Sequence, residues 1–123
     1  MCEMSSQMIN VPYAGHTNPT LSLTKRLVKK GHEVFYINAE EFRSQIENTG
    51  AKFIPYINYP LIPTAQQKKT RCFRAAFDTA MQLEDKFDML IYEMFFFPGI
   101  KIAQNLCIPC VRQLPGVSTS KRV

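Results

Sequence analysis

Residues 7–38 read QMINVPYAGHTNPTLSLTKRLVKKGHEVFYIN, and this stretch decides the fold. Its opening, QMINVPY, is short, alternates apolar residues and stops at Pro12, which is the pattern of a strand feeding a loop. The loop PYAGHT follows, and a helix is expected directly after it. Asn18 can cap that helix by accepting a bond from an orphan amide, and Pro19 suits a first turn, where a missing N–H is no loss. Leu23, Leu27 and Val28 then recur on one face. Lys25, Arg26, Lys29 and Lys30 crowd the C-terminal end, where cations favour the helix dipole, and Gly31 supplies the stop. HEVFYIN, residues 32–38, is β-branched and aromatic, which fits a second, buried strand.

The same alternation continues. EEFRSQIENTG, residues 40–50, sets Phe42 and Ile46 four apart and ends in Gly50, as a helix does. KFIPY (52–56) is a third strand, and INYPLIPTAQQKK (57–69), with its prolines and polar residues, reads as a long loop of the kind that often carries function. From Thr70 to Lys86 the spacing predicts a helix that brings Phe73, Ala76, Phe77, Ala80 and Met81 to one face for core packing. DMLIYE (88–93) is a fourth strand, PGIKIAQNL (98–106) a helix and CVRQL (110–114) a fifth strand. Strands alternating with helices at this pitch form right-handed crossover units, so the fold class is α/β, a Rossmann-like doubly wound parallel sheet in a single domain spanning 1–123.

Composition bounds what such a domain does. With 123 residues, 46% hydrophobic and 20% charged, it has the balance of a globular domain and needs neither metal nor disulfide for a core. The net charge of +5 comes from lysines and arginines scattered in twos among acids, a solvated surface rather than a nucleic-acid stripe. Four cysteines and the lack of a cleavable apolar leader point to a reducing cytoplasm. The longest apolar run, MLIYEMFFFPGI, is broken by Glu93 and Pro98 and is too short to span a bilayer.

In sheets of this class ligands sit beyond the carboxyl ends of the strands, where the strand order reverses. That brings PYAGHT and YEMFFF together, with His16 in one loop and Glu93 in the other. A histidine can take a proton from a hydroxyl, and a neighbouring carboxylate fixes its tautomer and stabilises the imidazolium. A loop histidine before a helix can equally serve to bond backbone. His32, at a helix-to-strand turn on the opposite edge, reads as surface. Tyr13, Phe95 and Phe96 flank the cleft as candidate substrate-binding residues, and a buried edge explains the phenylalanines equally well. CIPC (107–110) has redox spacing but follows a helix instead of opening one, so it reads as structural. Zinc lacks a second ligand pair, PYAGHTNP has one glycine where a dinucleotide loop needs three, and no cofactor is called for.

These residues resemble the N-terminal end of bacterial UDP-glycosyltransferases of the macrolide glycosyltransferase kind. The likeness lies in a strand leading to G-H-x-N-P-T-L, then L-x-x-x-G-H-x-V-x-Y and F-x-x-x-I-E-x-x-G-A. A second match lies at FDMLIYEMFFFPGIKIAQNLCIPCV, which is similar to the family's P-D-L-I-x-Y-D strand with its following helix and L-x-I-P entry. The resemblance runs from about Met8 to Val111. It implies the N-terminal half of a two-domain GT-B fold, the half that binds the acceptor. By resemblance His16 stands where the family's general base deprotonates the acceptor hydroxyl, whose oxygen displaces the nucleotide from the sugar with inversion and without a metal. The aspartate that orients this histidine falls at Glu93, a departure by one methylene, and Asp88 matches a structural position. The family's donor-binding domain, with its nucleotide signature, does not follow.

The resemblance therefore implies an acceptor-binding domain that is inactive alone, takes a small-molecule acceptor, and meets a nucleotide sugar only if a donor domain is supplied. The other readings are a non-catalytic module for a small molecule or a protein, and one half of a split glycosyltransferase. Self-association is expected from apolar surface that a larger fold would cover.

Overall fold

In the computed structural model the described residues are 5–83, 87–93 and 99–113. They build one five-stranded sheet in the order β3-β2-β1-β4-β5, from β1 (Ser5–Ile9), β2 (Glu33–Asn38), β3 (Lys52–Pro55), β4 (Met89–Glu93) and β5 (Cys110–Gln113). Every neighbouring pair is parallel. The helices are α1 (Ala14–Lys29), α2 (Arg43–Glu47), α3 (Ala65–Gln82) and α4 (Gly99–Leu106), and a 3₁₀ turn, Glu40–Phe42, leads into α2.

Right-handed crossovers dictate the layers. The chain moves outward from β1 to β3, so α1 and α2 share one face of the sheet. It then returns past β1 to β4 and β5, which sends α3 and α4 to the other face, where they pack on each other. Side chains confirm both faces. Thr24 of α1 bonds Met8 Sδ at 3.1 Å and Thr20 meets the Tyr36 hydroxyl at 2.6 Å, so even-numbered residues of β1 and β2 look toward α1. On the far side Gly99 of α4 lies on Tyr92, so close that a Cβ there would stand 2.4 Å from the ring. Core residues of both faces, among them Met8, Ile9, Val34, Ile37, Leu90 and Ile102, are fully or almost fully buried.

The predicted stops hold for a physical reason. Gly31 and Gly50 take φ of 96° and 94°, the left-handed region that glycine enters without penalty. At Gly50 an added Cβ would also meet Val28 Cγ1 at 2.7 Å, so the turn after α2 docks on α1 only because nothing projects there. Asp88 ties the opposite edge: its Oδ2 accepts from Ser5 N at 2.8 Å while its own N–H donates to Ser5 O at 2.7 Å.

Two helix starts differ from the expectation. α3 begins at Ala65, five residues before Thr70, because Thr64 and Gln67 close a capping box in which each side chain accepts from the other's backbone. The long loop therefore ends at Thr64. α1 begins at Ala14, so His16, Thr17, Asn18 and Pro19 lie inside the helix; Asn18 is not its cap and His16 is not in a loop. The cap position is Tyr13, whose extended backbone (φ −130°, ψ 136°) offers no side-chain cap bond.

Gln7 is a cost built into the core. It pairs with Leu90 across the sheet on the α3/α4 face, is 0% exposed, and neither its Nε2 nor its Oε1 has a partner among the described residues. A buried amide left unpaired costs about 1–3 kcal/mol, whereas an apolar side chain of the same shape carries no such penalty. Gln7→Met is expected to raise the unfolding free energy by about 1–3 kcal/mol, read as a higher urea midpoint at unchanged slope. A lower midpoint would show that the amide is satisfied in solution.

Candidate functional site

The strand order reverses between β1 and β4, whose register pairs Ile9 with Tyr92. The chain leaving β1 at Asn10 and the end of β4 at Glu93 therefore emerge side by side. This is the crevice in which open α/β sheets hold ligands. His16 stands at its rim as the third residue of α1, half-buried, with its N–H donating to Tyr13 O at 3.0 Å. The Tyr13 ring meets the His16 ring edge to face, centroids 6.4 Å apart at 68°. Of the predicted site residues, the structure thus brings Tyr13 and His16 together. The backbone of Glu93 closes β4, while its side chain and the whole of Phe95 and Phe96 lie outside the described residues. His32, at the opposite edge, is half-buried and its N–H bonds Leu27 O.

Beneath the first turn of α1 lies a buried polar network that the sequence pattern did not announce. Asn10, 1% exposed, donates from Nδ2 to His16 O at 2.9 Å and to Tyr36 Oη at 3.0 Å, while its Oδ1 accepts from Val11 N at 2.7 Å. Tyr56 donates its hydroxyl to Asn10 O. Asn38 donates to Thr17 Oγ1 at 3.0 Å. The signal that marked these residues in the sequence was only their placement: Asn10 and Asn38 are polar residues at the carboxyl ends of two buried strands.

Around this floor the rim is aromatic and apolar. Tyr56 and Tyr59 meet edge to face at 5.0 Å. Lys68 of α3 sets Nζ 5.4 Å above the Tyr13 ring and 3.4 Å from Glu41, which ties the start of α3 to the start of α1. Tyr13 is 37% exposed, and in the loop between β3 and α3 Leu61 and Ile62 are 74% and 91% exposed. Gly15 faces open space, with nothing within 4 Å of where a Cβ would stand. Among the described residues no three His, Cys, Asp or Glu side chains gather to hold a metal.

Cys107 and Cys110 are free, exposed thiols after α4 and at the start of β5, away from any helix N-terminus. Burial pushes up the pKa of the Cys72 thiol on α3, which disfavours the reactive thiolate at neutral pH. No helix among the described residues is long and apolar enough to cross a membrane.

Over 118 residues the chain is 30% identical to the NDP-glycosyltransferase YjiC of Bacillus subtilis, a match covering 85% of the chain and 30% of that protein. YjiC of Bacillus licheniformis is 31% identical, again over 85% of the chain. The chain is homologous to nucleotide-sugar glycosyltransferases. It spans about 30% of the length of these curated relatives. The solved structure of CalG4, the calicheamicin glycosyltransferase, superposes with a TM-score of 0.78 over 98% of the chain and 34% of its own length at 23% identity, which places the sheet in the GT-B fold. No protein-family model matches the sequence.

Burial also raises the Tyr56 hydroxyl well above the ordinary tyrosine value, and desolvation raises Tyr59, with the Cys72 and Glu41 charges adding to it. A neutral tyrosine so held stabilises the fold fully below its unfolded pKa of about 10 and ceases to as pH rises through and beyond it. Stability is expected to fall above about pH 10, with Tyr56 and Tyr59 at least, among the five tyrosines, ionising only as the protein unfolds. Phenolate absorbance followed beside circular dichroism checks this; all five titrating in the folded protein would contradict it.

Proposed function

We propose that the chain is the acceptor-binding part of a glycosyltransferase and that His16 is its general base. The observation that carries this reading is the position of His16, half-buried in the first turn of α1 where the sheet reverses order and beside an exposed Tyr13. In the reaction, His16 takes the proton of an acceptor hydroxyl. The freed oxygen forms a bond to the anomeric carbon of the donor sugar, the bond from that carbon to the nucleotide phosphate breaks, and the configuration inverts. Glu93 at the end of β4 orients the imidazole and stabilises its charged form. Tyr13, Phe95 and Phe96 contact the acceptor, and the exposure of Tyr13, Leu61 and Ile62 on this edge supports an acceptor with an apolar body.

On this reading the nucleotide sugar is held by a second domain that these 123 residues do not encode, so the chain alone performs no transfer. Positioning and charge stabilisation supply most of the rate of such a step. Free Cys72, Cys107 and Cys110 support a reducing cytoplasm as its place of work.

Fused to the donor domain of a relative, the chain is expected to transfer sugar from UDP-glucose, and the chain alone to transfer none. In the fusion, His16→Ala should lower kcat by about 10²–10⁴-fold, the range for loss of a general base, with little change in melting temperature. Retained transfer in that variant removes His16 from the role; binding of an apolar acceptor without transfer in any fusion would favour a non-catalytic module.

We also propose that the isolated chain self-associates. β5 ends the described sheet, and Val111 on it is 48% exposed, an apolar side chain on an edge strand. Sedimentation across a concentration series should show mass rising with concentration, and a constant monomer mass would refute this.

A further inference from the structure

We infer that Asn10 is the positioning residue that fixes where the His16 ring points. The inference deepens the reading of His16 as the base and rests on it, since the place of the ring matters to the reaction only if the ring does the chemistry.

The first turn of α1 lacks the local supports that helices use. Its cap, Tyr13, makes no side-chain bond to the orphan amides, and no acidic residue stands in the turn to complement the dipole. Pro19 has no N–H, so the Gly15 carbonyl loses the partner it would have in a regular helix, and the proline ring crowds that carbonyl. Proline also disfavours the helical conformation at Asn18 before it. Left to its own sequence, the chain would enter the helix near Pro19 and leave His16 in a loop.

What holds the turn comes from below. Asn10 Nδ2 reaches the His16 carbonyl at 2.9 Å, a bond made to the backbone of the very residue proposed as the base. Asn10 cannot move to follow it. Its carbonyl accepts the Tyr56 hydroxyl, its Oδ1 accepts from Val11 N, and its Nδ2 also bonds Tyr36 Oη, which itself meets Thr20 Oγ1 of α1 at 2.6 Å. β2, α1 and the residues that follow β1 and β3 therefore converge on one asparagine. Asn38, bonded to Thr17 Oγ1 at 3.0 Å, fixes the next residue of the helix. With the His16 backbone pinned, its ring meets the Tyr13 ring edge to face at 6.4 Å.

The test reads ring position in the 123-residue chain without substrate, by the proton cross-peak between the Tyr13 and His16 rings and by the His16 ring shifts, with His32 as the internal reference. Asn10→Ala removes the amide, and Asn10→Asp keeps its shape and the bond from Val11 but loses both donors. Both are expected to lose the cross-peak and move the His16 signals while His32 stays in place. Tyr36→Phe deletes a hydroxyl of the same network without touching the bond to His16, and it is expected to lower the melting temperature yet keep the cross-peak. A cross-peak at full strength in either folded Asn10 variant overturns the inference, as does its equal loss in Tyr36→Phe. If one Asn10 variant fails to fold, the other carries the measurement; unfolding of both also overturns it, since the amide then serves the whole fold. None of these outcomes depends on transfer, so failure here leaves the His16→Ala fusion result to stand or fall separately.

Discussion

Four hydrogen bonds meet at Asn10, at the carboxyl end of the strand around which the sheet reverses, and the geometry of the candidate site depends on them. Each contributes only about 1 kcal/mol net, because the unfolded chain bonds water instead. The rigidity comes from the opposite side of the ledger: a buried amide pulled from its partners is left unpaired at about 1–3 kcal/mol for each group. Any motion that breaks one bond while the others hold is penalised at once. Apolar packing of Ile9, Ile37 and Leu90 gives the sheet its stability, but that packing is non-directional and does not select one orientation of a helix turn. Direction is set by the amides and hydroxyls.

Much of the fold was legible because the hydrophobic period and the glycines spoke for themselves. The five strands, the parallel order and the stops at Gly31 and Gly50 all follow from local patterns that packing did not override. The start of α3 was legible too, in the Thr64–Gln67 spacing that marks a capping box, but the prolines of the preceding loop drew the reading past it. The start of α1 was not. Asn18 and Pro19 are strong local signals for a helix beginning, and they lose to bonds from Asn10 and Asn38, which are 6 residues before His16 and 21 after Thr17. A tertiary hydrogen bond leaves no periodic trace in a sequence.

The candidate site divides along the same line. His16 and Tyr13 were marked by residue chemistry next to a predicted strand end, and the topology carried them to the reversal of the sheet. Tyr36, Tyr56 and Asn38 read as ordinary strand and loop residues, since nothing in an apolar or polar pattern tells a buried hydroxyl with a partner from one in solvent. Lys68 sat in what read as a polar loop, and its reach to both Glu41 and the Tyr13 ring depends on the helix that the capping box begins.

The two halves of this edge differ in kind, and the difference suits the proposed reaction. Below the rim every named group is buried and bonded; above it Tyr13, Leu61 and Ile62 are exposed, two of them on the loop between β3 and α3. Proton transfer fails when a donor and acceptor shift by a fraction of an ångström to an ångström, because a hydrogen bond weakens steeply with distance and angle. Burial of an apolar acceptor body tolerates far more slack, since its energy follows area and not direction. On the proposed reading, a base held from beneath by directional bonds beside an apolar rim would let one fixed proton acceptor serve acceptors of different shape. Tightening the loop would narrow the choice of acceptor, whereas loosening the floor would slow the reaction for all of them.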